Sequence, residues 1–351
     1  NLKTLLQQSL LTLTLLPALA LAADRVGDFS LLDHNGTFHQ MSWYDDNKAI
    51  VLLVQAVGDP AVQAALADFS SLKSRYDTQG VEFFMINPLG LKNRDAVKAD
   101  LAAMNVDIPV LMDDARLISE ALGIDKTGAV IIYDPKSFKI VFRGPVGAAL
   151  DIALSNIIAG KDLKTSQIAS TGTAVYYPIK SAHQIQAPSY EKEIGPIIAE
   201  NCATCHRAGG IAPFALDSHT MVMGWSQMIR EVLMTKRMPP GQIDPHIGDF
   251  VNDMVLTDDD AQKIVHWIEA GSPKDGDSDP LTELVWPETE WAFGEPDYII
   301  EIPEQSIPAT GVLDYYNVMV ELNVEQDRWV RASQYIPGDR TVLHHTLHSL
   351  I

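Results

Sequence analysis

The stretch Ala49-Ile50-Val51-Leu52-Leu53-Val54-Gln55-Ala56-Val57-Gly58-Asp59-Pro60 decides the fold of the N-terminal part of the chain. Residues 49–57 form an apolar, β-branched run, which is typical of a strand buried within a sheet. Gly-Asp-Pro then interrupts the run, and apolar residues recur at helical spacing from Ala61 to Tyr76. The sequence therefore predicts a buried central strand that leads directly into a helix.

Strand and helix signals alternate on both sides of this unit, over residues 26–146. A hairpin with an Asn35-Gly36 turn is predicted before it. The other predicted elements are a second buried strand, two helices and a closing hairpin, over residues 81–86, 95–104, 115–122 and 129–143. This β-α-β order predicts an α/β domain, with a sheet covered by helices.

The N-terminal sequence resembles the thioredoxin-like redoxin and peroxiredoxin superfamily. The segments that carry the resemblance are Val26-Gly27-Asp28-Phe29 with Leu32-Asp33, Val81-Glu82-Phe83-Phe84-Met85-Ile86-Asn87 and Ile108-Pro109-Val110-Leu111-Met112-Asp113. In that family a nucleophilic Cys-Pro opens the first helix, and here Gly58-Asp59-Pro60 stands in its place. Gly128 stands near the place of the family's cis-proline. The resemblance implies a thioredoxin-like domain over residues 24–146 that lacks the catalytic cysteine, because Asp59 can only cap the helix. We expect it to serve as a scaffold or docking domain.

Composition excludes several classes of function. The chain has 351 residues, with 26 Lys+Arg against 46 Asp+Glu and a net charge of −20. The length predicts two or three domains, and the negative charge argues against nucleic acid and anionic membranes as partners. Two cysteines exclude a disulfide framework and a zinc site built on four cysteines.

Residues 1–23 have the features of a secretory signal peptide. Lys3 is their only charge, an apolar run follows from Leu10, and Ala20-Leu21-Ala22 is a cleavage pattern. We therefore expect a periplasmic or otherwise exported protein with no membrane span in the mature chain, and an uncleaved anchor is the alternative. Because the chain opens with Asn1 and stops within an apolar run, we expect a fragment at both termini.

The rest of the chain divides by composition. A helix over 148–158 and a Gly-, Ser-, Thr- and Pro-rich linker make up residues 147–188. Helical signals predict a small all-α domain over 189–274. One of its helices is predicted over 220–236, and another begins at a Thr257 N-cap and ends at Gly271. An acidic linker, 275–289, precedes the start of an antiparallel β-sandwich over 290–351, whose predicted strands are 298–302, 315–322, 329–332 and 341–343.

The strongest chemical motif is Cys202-Ala203-Thr204-Cys205-His206. C-x-x-C-H is the attachment pattern of haem c. Two thiols three positions apart on a helical turn reach the two vinyl groups of one porphyrin, and the adjacent His206 ligates the iron. A structural disulfide and a zinc site completed by histidines remain as alternatives.

The sixth iron ligand is predicted to be Met238, in Arg237-Met238-Pro239-Pro240-Gly241. A methionine thioether there raises the reduction potential, and the two prolines stiffen the loop. His219, His246 and His266 are the rival ligands.

The segments around the haem motif also resemble a bacterial group in which a cytochrome c-like domain is fused to a copper type II, ascorbate-dependent monooxygenase-like module. They are residues 205–214, Arg237-Met238-Pro239-Pro240 and Trp267-Ile268-Glu269-Ala270-Gly271-Ser272-Pro273. Residues 337–345 resemble the first copper site of the peptidylglycine-hydroxylating monooxygenase family. That resemblance implies His344 and His345 as copper ligands, with His348 as a neighbouring candidate.

These features predict an exported c-type haem electron-transfer protein that serves a redox partner protein or the fused copper domain. It would be a copper-dependent oxidoreductase if the C-terminal module is complete. One alternative is a haem-based ligand-binding or sensor module on a non-catalytic redoxin scaffold. A thiol peroxidase is a further alternative, but it needs a cysteine in the redoxin domain, where the sequence has none.

Overall fold

The computed structural model describes residues 25–90, 93–161, 165–248, 250–251, 253–286, 291–339, 342–343 and 346–349. The chain divides into two compact units, Asn1–Tyr176 and Tyr177–Ile351. The predicted signal segment, residues 1–23, lies outside the described residues. Within the described ranges, no helix is long and apolar enough to cross a lipid bilayer.

The first unit is built on one eight-stranded sheet. Its strands are β1 (Ser30–Asp33), β2 (Phe38–Gln40), β3 (Ala49–Val54), β4 (Val81–Asn87), β5 (Val110–Met112), β6 (Ala129–Asp134), β7 (Lys139–Pro145) and β8 (Ser166–Gln167). Their spatial order is β2-β1-β5-β4-β3-β6-β7-β8. The predicted central strand is β3, which pairs in parallel with β4 and antiparallel with β6. All six of its residues are buried, as its uninterrupted apolar sequence predicts.

The described residues of this unit also form four α-helices and two short 3-10 helices. The α-helices are α1 (Pro60–Tyr76), α2 (Arg94–Ala103), α3 (Leu117–Ala121) and α4 (Ala148–Ile158), and the 3-10 helices are Met41–Tyr44 and Asp77–Gln79. The buried face of α1 includes Leu66, Phe69 and Leu72, which join Val51 and Phe83 of the sheet in one apolar core. The predicted order and type of the elements around β3 are confirmed, and the domain is a thioredoxin-like α/β fold with a mixed sheet.

Residues 147–176 belong to the segment that was predicted as a helix and a linker. In the structure they are packed into the first unit and do not form a free linker. Helix α4 is present, and its residues Leu150, Ala153 and Leu154 are buried in the core of the sheet. Strand β8 then extends the sheet beside β7. Because apolar packing and strand pairing hold this segment, it is part of the first unit, which ends at Tyr176.

The regular structure described between residues 177 and 286 is helical. It comprises α5 (Pro178–Ile185), a π-helical turn (Tyr190–Ile194), α6 (Gly195–Asn201), α7 (His219–Gly224), α8 (Ser226–Met234) and α9 (Asp258–Glu269). The Thr257 hydroxyl caps α9 by accepting a hydrogen bond from the Asp260 N–H, and Gly271 follows the helix at φ 91°, both as predicted. The single helix predicted over 220–236 is divided at Trp225 into α7 and α8.

The core of the second unit lies between these helices. Its buried residues are Tyr190, Ile194, Ile197, Ile198, Leu216, Val222, Ile264, Trp267, Ile268 and Leu281. Trp267 is fully buried, and its indole N–H donates a hydrogen bond to the Pro273 carbonyl at 2.8 Å. One aromatic side chain therefore ties α9 to the chain that follows it.

The described residues from 291 to 349 contain neither strand nor helix, although antiparallel strands were predicted there. Apolar residues of the predicted strands, such as Ile300 and Trp329, are exposed. An apolar strand is stable only when neighbours take its backbone hydrogen bonds and cover one face. The described part of this region shows no such pairing, so the structure gives no support to the β-sandwich predicted over 290–351.

We predict that Leu154→Ala lowers the free energy of unfolding of the first unit by about 2–5 kcal/mol, because it leaves a cavity in the core. The matched control is Ile152→Ala on the same helix, where the side chain is 62% exposed; Leu154 is fully buried. The control should change stability by no more than about 0.5 kcal/mol. Urea unfolding followed by circular dichroism measures both, and equal effects would show that α4 is not part of the core.

Candidate functional site

Helix α1 begins where the redoxin resemblance places the nucleophilic cysteine, and Asp59 is its N-cap. One carboxylate oxygen, Oδ1, accepts hydrogen bonds from the backbone N–H groups of Ala61 at 2.8 Å and Val62 at 3.3 Å. The other, Oδ2, accepts a hydrogen bond from the Thr127 hydroxyl at 3.0 Å. Oδ1 therefore caps the helix, which confirms the predicted capping role, and Oδ2 ties the helix end to Thr127.

The chain at residues 172–173 closes over this helix end. The N–H of Thr127 donates to the Thr173 carbonyl, and the N–H of Thr173 donates to the Thr127 hydroxyl, both at 2.9 Å. A Cβ on Gly172 would lie 1.7 Å from the Thr127 carbonyl oxygen, so only glycine permits this approach. Gly128, at φ +67°, lies so near α1 that a Cβ would come within 3.1 Å of the Ala61 backbone.

The charge state of Asp59 follows from these contacts. Burial raises the pKa of its carboxyl, but the hydrogen bonds from Thr173, Thr127 and the backbone of Val62 and Ala61 together outweigh burial and hold the pKa below 3.8. The group is an anion at neutral pH, which also suits the positive end of the helix dipole. A carboxylate held in this way supplies no thiolate, so this end of the domain stabilises the fold.

The C-x-x-C-H motif lies in a tight turn directly after α6. The Cys202 N–H donates to the Ile198 carbonyl at 2.9 Å. The Cys202 carbonyl in turn accepts hydrogen bonds from the N–H groups of Cys205 at 3.2 Å and His206 at 2.9 Å. The two cysteines and the histidine are thus wound onto one turn, and both thiols are free.

The ring of His206 is oriented by the backbone. Its Nδ1 lies 3.1 Å from the Phe214 carbonyl oxygen. Because a carbonyl only accepts, Nδ1 carries the proton and the lone pair is on Nε2. The loop between them is closed by two further hydrogen bonds, from the Ala212 N–H to the Cys205 carbonyl and from the Leu216 N–H to the His206 carbonyl. Histidines that bind metals through one nitrogen usually donate the other N–H in this way.

Cys202 packs against the apolar core of the second unit. Burial, and secondarily the neighbouring Cys205, raises the pKa of the Cys202 thiol to about 12. Thiol–disulfide exchange needs a thiolate near neutral pH, so the Cys202 thiol is poorly suited to that chemistry. A thioether has no proton to lose, and its burial carries no such penalty.

An aromatic cluster lies beside the motif. The rings of His206 and Phe214 have centroids 4.7 Å apart, and Phe214 stacks on Trp225 at 4.2 Å. The guanidinium of Arg207 lies over the Trp286 ring at 4.9 Å. Phe214 therefore packs against the histidine, and Trp225 extends this aromatic stack.

The candidates for the sixth ligand lie in different environments. Met238 follows α8 in a loop with its side chain 40% exposed, and its carbonyl accepts a hydrogen bond from the Gln242 side chain at 3.0 Å. His219 is buried, with Nε2 3.0 Å from the Ser272 carbonyl oxygen. His266 is also buried, with its Nδ1 2.8 Å from that of His183. His246 lies in the loop between α8 and α9.

The predicted copper ligands are described only in part. His344 and His345 lie outside the described residues. His348 is exposed, with its ring 5.4 Å from that of Tyr335. In the part of the chain that the structure describes, no three His, Cys, Asp or Glu side chains converge as ligands of a single ion.

Comparison with known proteins bears on the first unit. Residues 22–146 match the AhpC/TSA family. The matched residues are redoxin-like. The rest of the chain, including the C-x-x-C-H motif, lies outside this match, and comparison with curated proteins gave no match.

Solved structures are likewise similar to only part of this chain. A hypothetical protein from Sinorhizobium meliloti is 23% identical, with a TM-score of 0.38, over 43% of this chain and 91% of that one. An uncharacterized conserved protein from Geobacillus kaustophilus is 19% identical, with a TM-score of 0.39, over 44% and 90%. Peroxidoxin from Mycobacterium tuberculosis is 19% identical, with a TM-score of 0.34, over 40% and 97%. Likenesses of this size say nothing about activity.

Sequence reasoning missed three features of these sites. The composition of the segment around Gly172 and Thr173 indicated a linker and gave no sign of its pairing with Thr127. The Phe214 carbonyl has no side-chain signature in the sequence. The pair of His183 and His266 joins positions 83 residues apart, and only their residue type could have suggested it.

We predict that Asp59→Ala lowers stability by about 1–2 kcal/mol at neutral pH, because the helix loses its cap. The folded pKa lies below the unfolded value of about 3.9, so the carboxylate's contribution is present above that value and is lost as pH falls through the folded pKa. Urea unfolding at about pH 7 and about pH 3 should show the cost shrinking in acid. Asp68→Ala, at an exposed position of α1, is the control; equal effects of both changes at neutral pH would contradict the capping role.

Proposed function

We propose that this chain is an exported c-type haem protein that transfers electrons, and that its redoxin-like domain performs no thiol chemistry. The observation that carries the proposal is the hydrogen bond between His206 Nδ1 and the Phe214 carbonyl, next to two thiols on the same turn. It leaves Nε2 as the ring nitrogen with a lone pair, which is the atom a haem iron needs.

Each residue of the turn has a role in this proposal. Cys202 and Cys205 would hold the porphyrin through thioether bonds, His206 would bind the iron, and Met238 would supply the sixth ligand. A haem iron with histidine and methionine ligands supplies one-electron transfer. The hydrogen bond from Nδ1–H of His206 to the Phe214 carbonyl fixes the ring orientation and raises the basicity of Nε2.

The core on which Cys202 packs would keep water from one edge of the bound group. Desolvation lowers the cost of rearranging solvent when an electron arrives, so a partly buried site suits electron transfer. The chain's net charge of −20 favours a redox partner with a basic surface.

The C-terminal histidines extend the proposal. By the resemblance of residues 337–345, we propose that His344 and His345 bind copper, with His348 as a further candidate, and that the haem would supply electrons to that centre. Export to the periplasm follows from the signal-like sequence of residues 1–23 and matches the compartment in which c-type haem proteins are expected. The copper-dependent activity would depend on the complete C-terminal module.

We predict that co-expression with a cytochrome c maturation system yields one covalently bound haem per chain, measured as a pyridine haemochrome that survives acid–acetone extraction. Replacing both cysteines, Cys202→Ser with Cys205→Ser, should abolish covalent haem. Thr204→Ala, which changes an exposed residue between them, should retain it. Matured wild-type protein with two titratable thiols and no haemochrome would refute the proposal.

The exposure of Met238 favours one competing function, a haem sensor with an open iron position. If Met238 binds iron, the reduced wild-type protein should bind carbon monoxide slowly, and Met238→Ala should bind it readily and have a lower reduction potential. Met228→Ala, which changes a methionine of α8 that is 47% exposed, is the matched control. Rapid binding by the wild type, unchanged in Met238→Ala, would favour the sensor.

A further inference from the structure

Two histidines of the second unit meet away from the haem motif. His183 lies on α5 and His266 on α9, and their Nδ1 atoms are 2.8 Å apart. The rings approach edge to face, with centroids 5.0 Å apart and an interplanar angle of 68°. His266 is only 4% exposed and His183 is half-buried, so the pair is fixed on one side and open to solvent on the other.

We infer that His183 and His266 form a binding site for a divalent transition-metal ion of tetragonal preference, such as Cu²⁺. The site is separate from the C-x-x-C-H turn and from the histidines at residues 344–348. It does not depend on the proposed haem function.

The separation of the two nitrogens selects the kind of ion. With metal–nitrogen bonds of about 2.0 Å, two ligands at a right angle lie about 2.8 Å apart, and two tetrahedral ligands lie about 3.3 Å apart. The observed 2.8 Å fits cis positions of a tetragonal ion. Cu²⁺ prefers that geometry and stands highest among the divalent first-row metals in affinity for imidazole.

The charges around the pair are mixed. Glu193 and Asp259 lie near enough to His183 to favour a positive charge there, whereas Lys263 opposes it. Lys263 is itself paired with both carboxylates, at 3.6 Å from Glu193 and 2.7 Å from Asp259. A cation therefore enters a neighbourhood in which two anions outnumber one lysine.

The remaining metal positions would be filled by water. No third His, Cys, Asp or Glu side chain of the described residues joins the pair at ligand distance. The affinity expected of two imidazoles is accordingly lower than that of a three- or four-residue site. The competing account of the 2.8 Å contact is a single proton shared between two neutral rings.

The test uses the 351-residue chain under oxidising conditions, with His344, His345 and His348 changed to Gln so that the C-terminal cluster does not bind the probe. Cu²⁺ is titrated by isothermal calorimetry into this parent and into the parent with His183→Gln added. His183 is chosen because it is half-buried, and its replacement leaves the buried His266 in the core. His246→Gln, a histidine of a loop in the same unit, is the matched control.

We expect the parent and the His246→Gln control to bind one equivalent of Cu²⁺ that His183→Gln loses, or binds about 100-fold more weakly. His266→Gln should show the same loss, with circular dichroism confirming that the helices remain. Identical stoichiometry and affinity in the parent and in His183→Gln would overturn the metal site and leave the shared proton as the account of the contact.

Discussion

The haem site proposed for the second unit depends on one hydrogen bond between His206 Nδ1 and the Phe214 carbonyl. It determines which ring nitrogen has a lone pair, and it closes the loop that follows the two cysteines. The same loop places Phe214 against Trp225 and brings Leu216 into the core, so the orientation of the imidazole and the packing of the domain are set together. A histidine free to rotate would lose its preference for one nitrogen, and the two thiols beside it would then be as compatible with a zinc ion as with a porphyrin.

The two units use the ends of helices in opposite ways. At the start of α1 the backbone N–H groups are satisfied by Asp59, so the position that a redoxin gives to a thiolate is occupied by a capping carboxylate. At the end of α6 the chain winds into a turn that holds the His206 ring through its Nδ1 and carries the Cys202 thiol, whose pKa is raised to about 12 by burial. The first of these helix ends carries no thiol, and at the second burial disfavours the thiolate of Cys202.

Structural features that depend on neighbouring residues were predicted correctly from local sequence patterns. The run that became β3, the helical spacing of α1 and the Thr257 cap each depend on residues within a few positions of one another, and each was predicted correctly. The break of the predicted helix at Trp225 and the absence of strands among the described residues after 290 depend on packing partners that alternation alone does not specify. Two contacts depend on how distant parts of the chain pack together, which no spacing rule encodes. One is the hydrogen bond from His206 to the Phe214 carbonyl eight residues away, and the other is the contact between His183 and His266.

The closure over α1 also explains why a thiol at position 59 would not by itself make a peroxidase. A nucleophilic cysteine there would need an open approach for its substrate, and the chain at Gly172 and Thr173 lies against Thr127 beside that position. Gly172 lies so close to Thr127 that any side chain would collide with the Thr127 carbonyl, so the contact requires glycine at position 172. The same segment continues to Tyr176, where the first unit ends. The absence of a thiol at position 59 and the closure of this helix end are thus mutually consistent, because the helix end holds the segment that leads to Tyr176.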